Sequence, residues 1–324
     1  MPSGVYVAAM PPKRVIGIDA GGTKLLGGVV DQDLVVHHRV HRLWRGADRA
    51  ETLGIIFDAV DEIYAAAPDA EGVGFGIPSL VDSRRGVSVA SVHLPLDDVP
   101  FRDLMSERLD LPVWLDNDVN AAVLAEHRHG AARGTSHAVM FALGTGIGGG
   151  LVLDGRVYRG ATGAAGELGH TVVDIHGPRC PCGGCGCLEV LASGTAIGIA
   201  GTEAARAAPR SVLGQRLEAD GAVRGSFVTE LAHAGDPLAL EAVAEVGRRL
   251  GAGLVTILNI LDPEVAVIGG GAVAAGDLLL DPARAVLESQ ALGPPRMRVV
   301  PAYFGDESGM LGAAVLAFDG LAAR

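Results

Sequence analysis

All four cysteines of this 324-residue chain lie within eight consecutive residues, Cys180–Cys187. Thiols so close together cannot cross-link distant parts of a fold, which is where a disulfide contributes most. The rest of the chain must therefore be stabilised by a packed core, for which its length is ample. His170 lies ten positions before the first cysteine, and three thiolates with one imidazole form a ligand set for tetrahedral Zn²⁺. We expect a zinc site here, although the spacing does not decide which three cysteines bind; the alternative is a reduced, metal-free loop.

Such a zinc ion is expected to be structural, because three cysteines and a histidine fill the tetrahedron and leave no position for a reacting water. The metal would then shape a loop that is flanked by Glu167 and Glu189. One ring nitrogen of His170 would bind the metal, and the other can point at a ligand. Two carboxylates and an imidazole held together in this way suit a polyhydroxylated ligand, because each forms hydrogen bonds with hydroxyl groups.

The formal net charge is −12. Nucleic acid and anionic membranes are therefore disfavoured as partners, because both would repel an acidic protein. No uninterrupted apolar run reaches the length of a membrane span, and the first residues do not show a secretory signal pattern. The sequence predicts a cytoplasmic protein that binds neither nucleic acid nor membrane.

Apolar strand-like segments alternate with helical ones along the chain, which is typical of an α/β fold. The patterns predict strands over Arg14–Ala20, Lys24–Asp31 and Gly72–Pro78, and an amphipathic helix over residues 50–67. The segment His137–Gly155 repeats the order of the first strand pair: apolar strand, Gly/Thr turn, apolar strand, aspartate. We interpret this repeat as a faint internal duplication.

Three glycine-rich turns, Asp19–Lys24, Leu143–Gly150 and Gly269–Gly271, each follow an apolar strand. Glycines allow backbone N–H groups to turn toward an anion, and a neighbouring carboxylate such as Asp19 suits a hydrated Mg²⁺. The second turn also matches G-x-G-x-x-G, but the chain continues as a strand instead of opening a helix, so a dinucleotide fingerprint is not indicated. Each turn alone can be explained as a tight hairpin. Three of them in one α/β chain favour a nucleotide site.

The cluster Asp116–Asn117–Asp118 stands at the start of a predicted helix. A single Asp–Asn pair at this position would be interpreted as an N-cap, but three such residues exceed what a cap needs. The helix dipole keeps a carboxylate at a helix N-terminus ionised. That is the state required of a base that accepts the proton of a sugar hydroxyl during phosphoryl transfer.

Together these motifs resemble those of the ROK family, named for repressors, open reading frames and kinases, and most closely its bacterial glucokinase branch. The most specific part is GELGH, Gly166–His170, followed after nine residues by C-x-C-G-x-x-G-C-x-E. The likeness extends from about Val15 to the end of the chain.

The resemblance implies an α/β fold of the two-lobed, actin-like (ribonuclease H-like) ATPase type, with a nucleotide and sugar cleft between the lobes. The expected lobes are residues 1–119 with 305–324, and residues 120–304, which carry the zinc loop. ATP, Mg²⁺ bound with the nucleotide and structural Zn²⁺ are the expected cofactors, with a sugar and a nucleotide as small-molecule partners. Relatives are often dimers or tetramers, so a homo-oligomer is expected.

The resemblance also assigns roles residue by residue, with Asp118 as the general base. It implies sugar contacts at Ser79, Asn117, Asp118, Glu167, His170 and Glu189; phosphate or adenosine contacts at Asp19, Gly21, Gly22, Thr23, Lys24, Gly144, Thr145, Gly146, Gly269, Gly270 and Gly271; and zinc ligands at His170, Cys180, Cys182 and Cys187, with Cys185 left over.

Two loops depart from the family pattern, and both border the sugar pocket in relatives. Ser79 stands where the family usually has glycine. The family's usual Asn-Leu pair and the aromatic residue after it are missing, and Val92, His93 and Leu96 stand nearby instead. The identity of the hexose is therefore less constrained than the reaction type.

The expected activity is ATP-dependent phosphorylation of a hexose at its 6-hydroxyl, with D-glucose first; polyphosphate is not excluded as the donor. One alternative is a ROK kinase acting on N-acetylmannosamine, fructose, mannose or allose. Another is a sugar-binding protein without catalysis. A sugar-responsive repressor is disfavoured, because such relatives carry a helix-turn-helix ahead of the first turn and only Met1–Arg14 precede it here.

Overall fold

The computed structural model describes residues 13–43, 48–91, 94–293 and 296–324. These residues form two compact units. Unit 1 contains the described residues up to Asp118 together with Ala313–Arg324, and unit 2 is Val119–Gly312. The lobe boundaries expected from the sequence stay a prediction. Val92 and His93, which belong to one of the departing loops, lie outside the described residues.

The described strands of unit 1 form a five-stranded sheet and a two-stranded one. The larger sheet has the order β3-β2-β1-β4-β7, and the smaller one pairs β5 with β6; the strands are β1 (Arg14–Ala20), β2 (Lys24–Asp31), β3 (Val36–Leu43), β4 (Val73–Ile77), β5 (Leu80–Asp82), β6 (Val87–Ala90) and β7 (Val113–Asn117). β1 pairs antiparallel with β2 but parallel with β4, which pairs parallel with β7. The carboxyl ends of β1, β4 and β7 therefore meet at one edge of the sheet.

The helices of unit 1 include α1 (Arg49–Ala66) and α2 (Phe101–Leu109). A third helix, α3 (Asp118–His129), begins at Asp118 in unit 1, and its other residues belong to unit 2. α1 begins after Asp48, whose carboxylate accepts a hydrogen bond from the Glu51 N–H at 2.9 Å. Its apolar side packs into a core with β1, β2 and β4, as the amphipathic pattern predicts.

Unit 2 repeats the sheet of unit 1. Among its described residues the strand order is β10-β9-β8-β11-β12, formed by β8 (Ala138–Leu143), β9 (Ile147–Leu153), β10 (Arg156–Val157), β11 (Val265–Gly269) and β12 (Arg298–Pro301). β8 pairs antiparallel with β9 and parallel with β11, as β1 does with β2 and β4. The strand order and pairing thus repeat between the two units, in agreement with the predicted internal duplication.

The helices of unit 2 pack against its sheet and against one another, and α10 continues into unit 1. They are α4 (Leu188–Ala192), α5 (Gly194–Ala207), α6 (Val212–Asp220), α7 (Gly225–His233), α8 (Pro237–Leu261), α9 (Asp277–Gln290) and α10 (Ser308–Ala322). Asp236 caps α8 by accepting from the N–H groups of Leu238 and Ala239. Within the described residues, no helix combines the length and the apolar character that crossing a membrane requires.

A buried carboxylate fixes the start of α10. Glu126 on α3 is fully buried, and its oxygens accept hydrogen bonds from the N–H groups of Ala131, Tyr303 and Phe304 and from the Ser308 hydroxyl, at 2.9–3.0 Å. A buried charge is tolerated only when its hydrogen bonds are satisfied in this way. Glu126 therefore ties α3 to the chain segment that leads into α10.

Candidate functional site

Unit 1 gathers predicted site residues from three separate stretches of the sequence at one edge of its sheet. Asp19 is in register with Gly76 near the carboxyl end of β1, and Ile77 at the end of β4 is in register with Asn117. Ser79 follows β4 after one residue. Ligand sites of α/β sheets lie beyond the carboxyl ends of parallel strands. The arrangement therefore agrees with a binding site for the predicted groups at this edge.

The two aspartates of the Asp116–Asp118 cluster occupy different environments. Asp116 is 2% exposed, and its Oδ1 accepts a hydrogen bond from the Asn117 N–H at 2.9 Å. Asp118 is half-buried and is the first residue of α3, where the helix dipole favours an ionised carboxylate. Asp116 is buried near the end of β7, whereas Asp118 is accessible to solvent. Of the two acids, Asp118 is thus better placed to act as a base.

The first glycine turn, which joins β1 to β2, is tight at one position and open at the next two. A Cβ atom on Gly21 would lie 3.2 Å from the Lys24 carbonyl oxygen. Gly22 and Thr23 are exposed, so their backbone is accessible to a ligand. An exposed glycine turn of this kind can offer N–H groups to an anion.

Ser79 is 5% exposed, and its hydroxyl is engaged inside the hairpin formed by β5 and β6. The Oγ atom lies 2.6 Å from Ser88 Oγ, and it is 2.9 Å from the Ala90 carbonyl oxygen. The Asn117 side-chain amide donates to the Ser79 carbonyl at 3.4 Å. A contact between Ser79 and a sugar stays a prediction. The backbone would have to make it, because the hydroxyl points into the hairpin.

We expect Ser79→Gly to loosen this hairpin against Asn117. Removing one hydroxyl leaves the buried Ser88 hydroxyl without this partner, at a cost of about 1–2 kcal/mol of unfolding free energy. The melting temperature should fall by a few degrees, and if the loop makes the predicted sugar contact, the KM for sugar should rise more than kcat falls. Ser83→Gly, in the turn of the same hairpin, is the control. Equal KM values for the wild type and Ser79→Gly would contradict the prediction.

Unit 2 brings the second and third glycine turns together. β8 and β11 are parallel neighbours, and Gly269 is in register with Ala142. Gly270 has a φ of +82°, and a Cβ atom there would lie 2.5 Å from the Leu143 carbonyl oxygen. Only glycine fits this approach. By contrast, a Cβ on Gly144 or on Gly271 would meet no atom within 4 Å. The two turns therefore border open space, as a nucleotide cradle requires.

Three cysteines and one histidine of unit 2 form a compact donor group. The donor atoms of His170, Cys180, Cys182 and Cys187 all lie within 4.8 Å of one another. Cys180 Sγ is 3.7 Å from His170 Nδ1, and the sulfurs of Cys182 and Cys187 are also 3.7 Å apart. Bonds of about 2.3 Å to a tetrahedral zinc ion separate two sulfurs by about 3.8 Å. The donor set and its spacing fit zinc, and Cys185 lies outside this group.

Burial raises the pKa of the Cys180 thiol and raises that of the Cys187 thiol to about 12. The exposed Cys182 has a lowered pKa, chiefly because the Gly184 N–H donates to its sulfur. Without a metal, the two buried sulfurs are therefore protonated at neutral pH. Binding of a metal ion must release these protons, because the thiolate is the ligand.

The two carboxylates that flank the loop reach the donor group from different directions. Glu167 is exposed, and its Oε2 lies 4.0 Å from His170 Nε2, the ring nitrogen that faces away from Cys180. Glu189 is on α4 and half-buried. Its Oε1 lies 3.8 Å from Cys180 Sγ, and its Oε2 accepts a hydrogen bond from the Ile147 N–H at 3.0 Å. The structure thus brings both carboxylates to the predicted zinc ligands.

Sequence reasoning missed the polar residues that fasten these loops. Ser88 holds Ser79, and the Thr195 hydroxyl donates to the Thr145 carbonyl at 2.7 Å. Neither residue stands in a motif. Thr195 lies in the first turn of α5, where a hydroxyl is common without any functional role. Only the tertiary structure shows that it contacts the second glycine turn.

The ROK family sequence profile matches residues 15–319. A glucokinase of Halalkalibacterium halodurans is 33% identical over 330 residues, covering 95% of this chain and 96% of the glucokinase. The crystal structure of a ROK family glucokinase from Streptomyces griseus in complex with glucose and AMPPNP is 33% identical, with a TM-score of 0.84 over 95% of this chain and 100% of that one. A xylose repressor of Caldicellulosiruptor bescii is 28% identical over 86% of this chain and 70% of the repressor.

These matches confirm the predicted α/β fold, which is the actin-like fold of ROK kinases. The mixed sheets of both units agree with it. Because the family profile covers nearly the whole chain and a relative is 33% identical over 95% of it, this chain belongs to the ROK family.

Proposed function

We propose that this protein transfers the γ-phosphoryl group of ATP to the 6-hydroxyl of a hexose, with D-glucose as the first candidate. The observation that carries the proposal is the gathering of Asp19, Asn117 and Asp118 at one edge of a sheet, in a chain 33% identical to a glucokinase. These groups suit metal-nucleotide binding, orientation of a hydroxyl and proton acceptance, respectively.

In this proposal the Asp118 carboxylate accepts the proton of the sugar hydroxyl while the hydroxyl oxygen bonds to the γ-phosphorus. The bond between that phosphorus and the oxygen that bridges it to the β-phosphate breaks, and ADP leaves with the electron pair. Asn117 orients the hydroxyl, and Glu167, His170 and Glu189 bind other hydroxyl groups of the sugar. Phosphoryl transfer is catalysed mainly by positioning of the reactants and by stabilisation of charge. These polar groups would therefore contribute most of the rate enhancement.

The glycine turns provide the phosphate and adenosine contacts. Open space beside Gly144 and Gly271 leaves room for the nucleotide, and the exposed backbone of Gly22 and Thr23 offers donors for phosphate oxygens. Mg²⁺, when bound with the nucleotide, neutralises phosphate charge, and Asp19 is the carboxylate suited to its water shell.

His170, Cys180, Cys182 and Cys187 would hold a structural zinc ion. The donor spacing fits tetrahedral zinc, and the four residues leave no open coordination position. Bound zinc supplies rigidity to the loop and takes no part in the transfer. The chain's own contribution is to keep Nε2 of His170 turned toward Glu167, where both can meet a hydroxyl group.

The experiment is a coupled assay of ADP release with glucose, mannose, fructose, allose and N-acetylmannosamine at saturating ATP·Mg²⁺. We expect the highest kcat/KM with glucose and a product phosphorylated at position 6. A higher kcat/KM with another hexose would keep the kinase and overturn the choice of glucose. If none of the sugars gave ADP release, the proposed ATP-dependent activity would be overturned. Phosphorylation of a sugar with polyphosphate in that case would identify a different donor.

A sugar-binding protein without catalysis is the second candidate, because a xylose repressor is among the relatives. Isothermal titration with each sugar and with AMPPNP separates the two candidates. A kinase binds both ligands and turns over, whereas a non-catalytic binder takes up sugar without ADP release.

A further inference from the structure

The segment that follows the cysteines in the chain holds the second glycine turn in place. At its far end, the Gly194 N–H donates to the Gly144 carbonyl at 2.9 Å, and the Thr195 hydroxyl donates to the Thr145 carbonyl at 2.7 Å. Both donors belong to the first turn of α5. Two successive carbonyl groups of the glycine turn are thus fixed by one helix start, which leaves the opposite side of the turn for a ligand.

Glu189 holds the same turn from a second direction. Its Oε2 accepts a hydrogen bond at 3.0 Å from the N–H of Ile147, a residue that is 4% exposed. The backbone of Gly146 lies so close that a methyl group there would overlap this oxygen. The other carboxylate oxygen of Glu189 lies 3.8 Å from Cys180 Sγ. One side chain therefore touches both the cysteine group and the glycine turn.

We propose that Glu189 is a positioning residue for the nucleotide: it links the zinc cluster to the turn Leu143–Ile147, so that nucleotide affinity depends on the cluster. This inference rests on the proposed function, since it assigns the turn to the nucleotide. It adds a second role to a residue whose expected role is sugar binding.

The link depends on the Ile147 N–H, which donates to the Glu189 carboxylate. A hydrogen bond to a carboxylate is stronger than one to a neutral acceptor. Without Glu189, this buried N–H would lack a partner, and the turn would rearrange to recover one. A phosphate cradle binds tightly only when its backbone donors are already in position, so a mobile turn binds nucleotide less well.

The test is isothermal titration with AMPPNP·Mg²⁺ in the absence of sugar, on zinc-loaded proteins of verified metal content. Glu189→Ala should weaken nucleotide binding about ten-fold, as the loss of one charge-assisted hydrogen bond implies. Glu189→Gln should stay within about three-fold, because its amide oxygen can still accept from Ile147. Glu203→Ala is the matched control: it removes an exposed carboxylate from α5 that is not among the predicted site residues, and it should leave nucleotide affinity unchanged.

A double-mutant cycle covers the case in which Glu189→Ala folds poorly or loses zinc. Gly146→Ala places a methyl group against Glu189 Oε2, so it should weaken nucleotide binding on its own. In the Glu189→Gly background there is room for the methyl group. There, Gly146→Ala should reduce nucleotide affinity several-fold less than it does in the wild-type protein. Zinc-stripped wild-type protein keeps the Ile147–Glu189 hydrogen bond and should bind nucleotide more weakly than zinc-loaded protein but more tightly than Glu189→Ala. Equal affinity of the stripped and loaded proteins would overturn the dependence on the cluster.

The outcomes separate this inference from the proposed function. If the wild-type protein fails to bind AMPPNP·Mg²⁺, the proposed function itself is overturned. If the wild type binds while Glu189→Ala, with zinc retained, binds equally well, only the link is overturned. If the changes that Gly146→Ala and Glu189→Gly cause in the free energy of nucleotide binding were additive, the link would be overturned as well.

Discussion

Asp118→Asn is expected to lower kcat for hexose phosphorylation about a thousand-fold, within the range that a general base contributes. The substitution keeps the size of the side chain but removes its ability to accept a proton at neutral pH. Because Asp118 is half-buried at the first position of α3, asparagine fits the same place, and loss of the carboxylate's interaction with the helix dipole costs only about 0.3–1 kcal/mol. The KM for ATP should stay within about two-fold, since the variant leaves the glycine turns intact.

Asp236→Asn is the matched control for this prediction. Asp236 also stands at a helix start, where it caps α8 in unit 2, and asparagine caps a helix as well as aspartate does. The control should therefore keep wild-type kcat and melting temperature. A kcat for Asp118→Asn within ten-fold of the wild type, measured by coupled ADP release, would show that another group accepts the proton.

The regular elements that the sequence predicts well are those in which a clear pattern of buried residues coincides with boundary signals. β1 and β2 have the predicted limits, and α8 spans Pro237–Leu261. β4 is buried along its whole length, which produces an uninterrupted apolar run. In α8, an Asp–Pro start adds a boundary signal to a long apolar face. Pattern and boundary signals agree in these elements, so the sequence alone suffices.

In the elements that the sequence did not reveal, the residue pattern and the boundary signals do not agree. β3 is an edge strand whose exposed positions hold His37, Arg39 and His41, so it has no apolar alternation to detect. α5 contains glycines at positions where close packing against neighbours requires them, and glycine lowers helix propensity. α9 contains Pro282 within its first two turns, which reads as a helix boundary. Tertiary packing overrides the local signal in each case.

In the candidate site, too, the sequence predicts some features and not others. The GELGH motif and the cysteine spacing predict the donor group, because those residues are close together in the chain. The structure then selects Cys180, Cys182 and Cys187 from the four cysteines, which spacing alone did not. The hydrogen bond between Ile147 and Glu189 joins residues 42 positions apart, and no pattern predicts such a pair. Motifs predict which chemical groups are present; the contacts that hold them depend on the fold.

Cys187→Ser is expected to abolish stoichiometric zinc binding and to raise the KM for hexose at least ten-fold. Cys187 is 1% exposed and lies directly before α4, so bulk water has little access to the position of its sulfur. Serine is a poor zinc ligand, because zinc in proteins is bound by thiolate, imidazole and carboxylate. Without the metal, the loop that carries His170 would lose its fixed shape, and the imidazole would no longer be held in one orientation for the proposed sugar contact.

Cys185→Ser provides the matched control, because it makes the same change on the same loop at a cysteine outside the donor group. Cys185→Ser should keep about one zinc ion per chain and the wild-type KM for hexose. Cys187→Ser should bind no stoichiometric zinc and have a raised KM. Metal content by elemental analysis and sugar affinity by titration measure the two effects separately. If a chelator removed all zinc while hexose affinity stayed at the wild-type value, the metal would not organise the sugar site. The loop would then be held by its own hydrogen bonds, such as that from the Leu188 N–H to the Thr171 carbonyl at 2.9 Å.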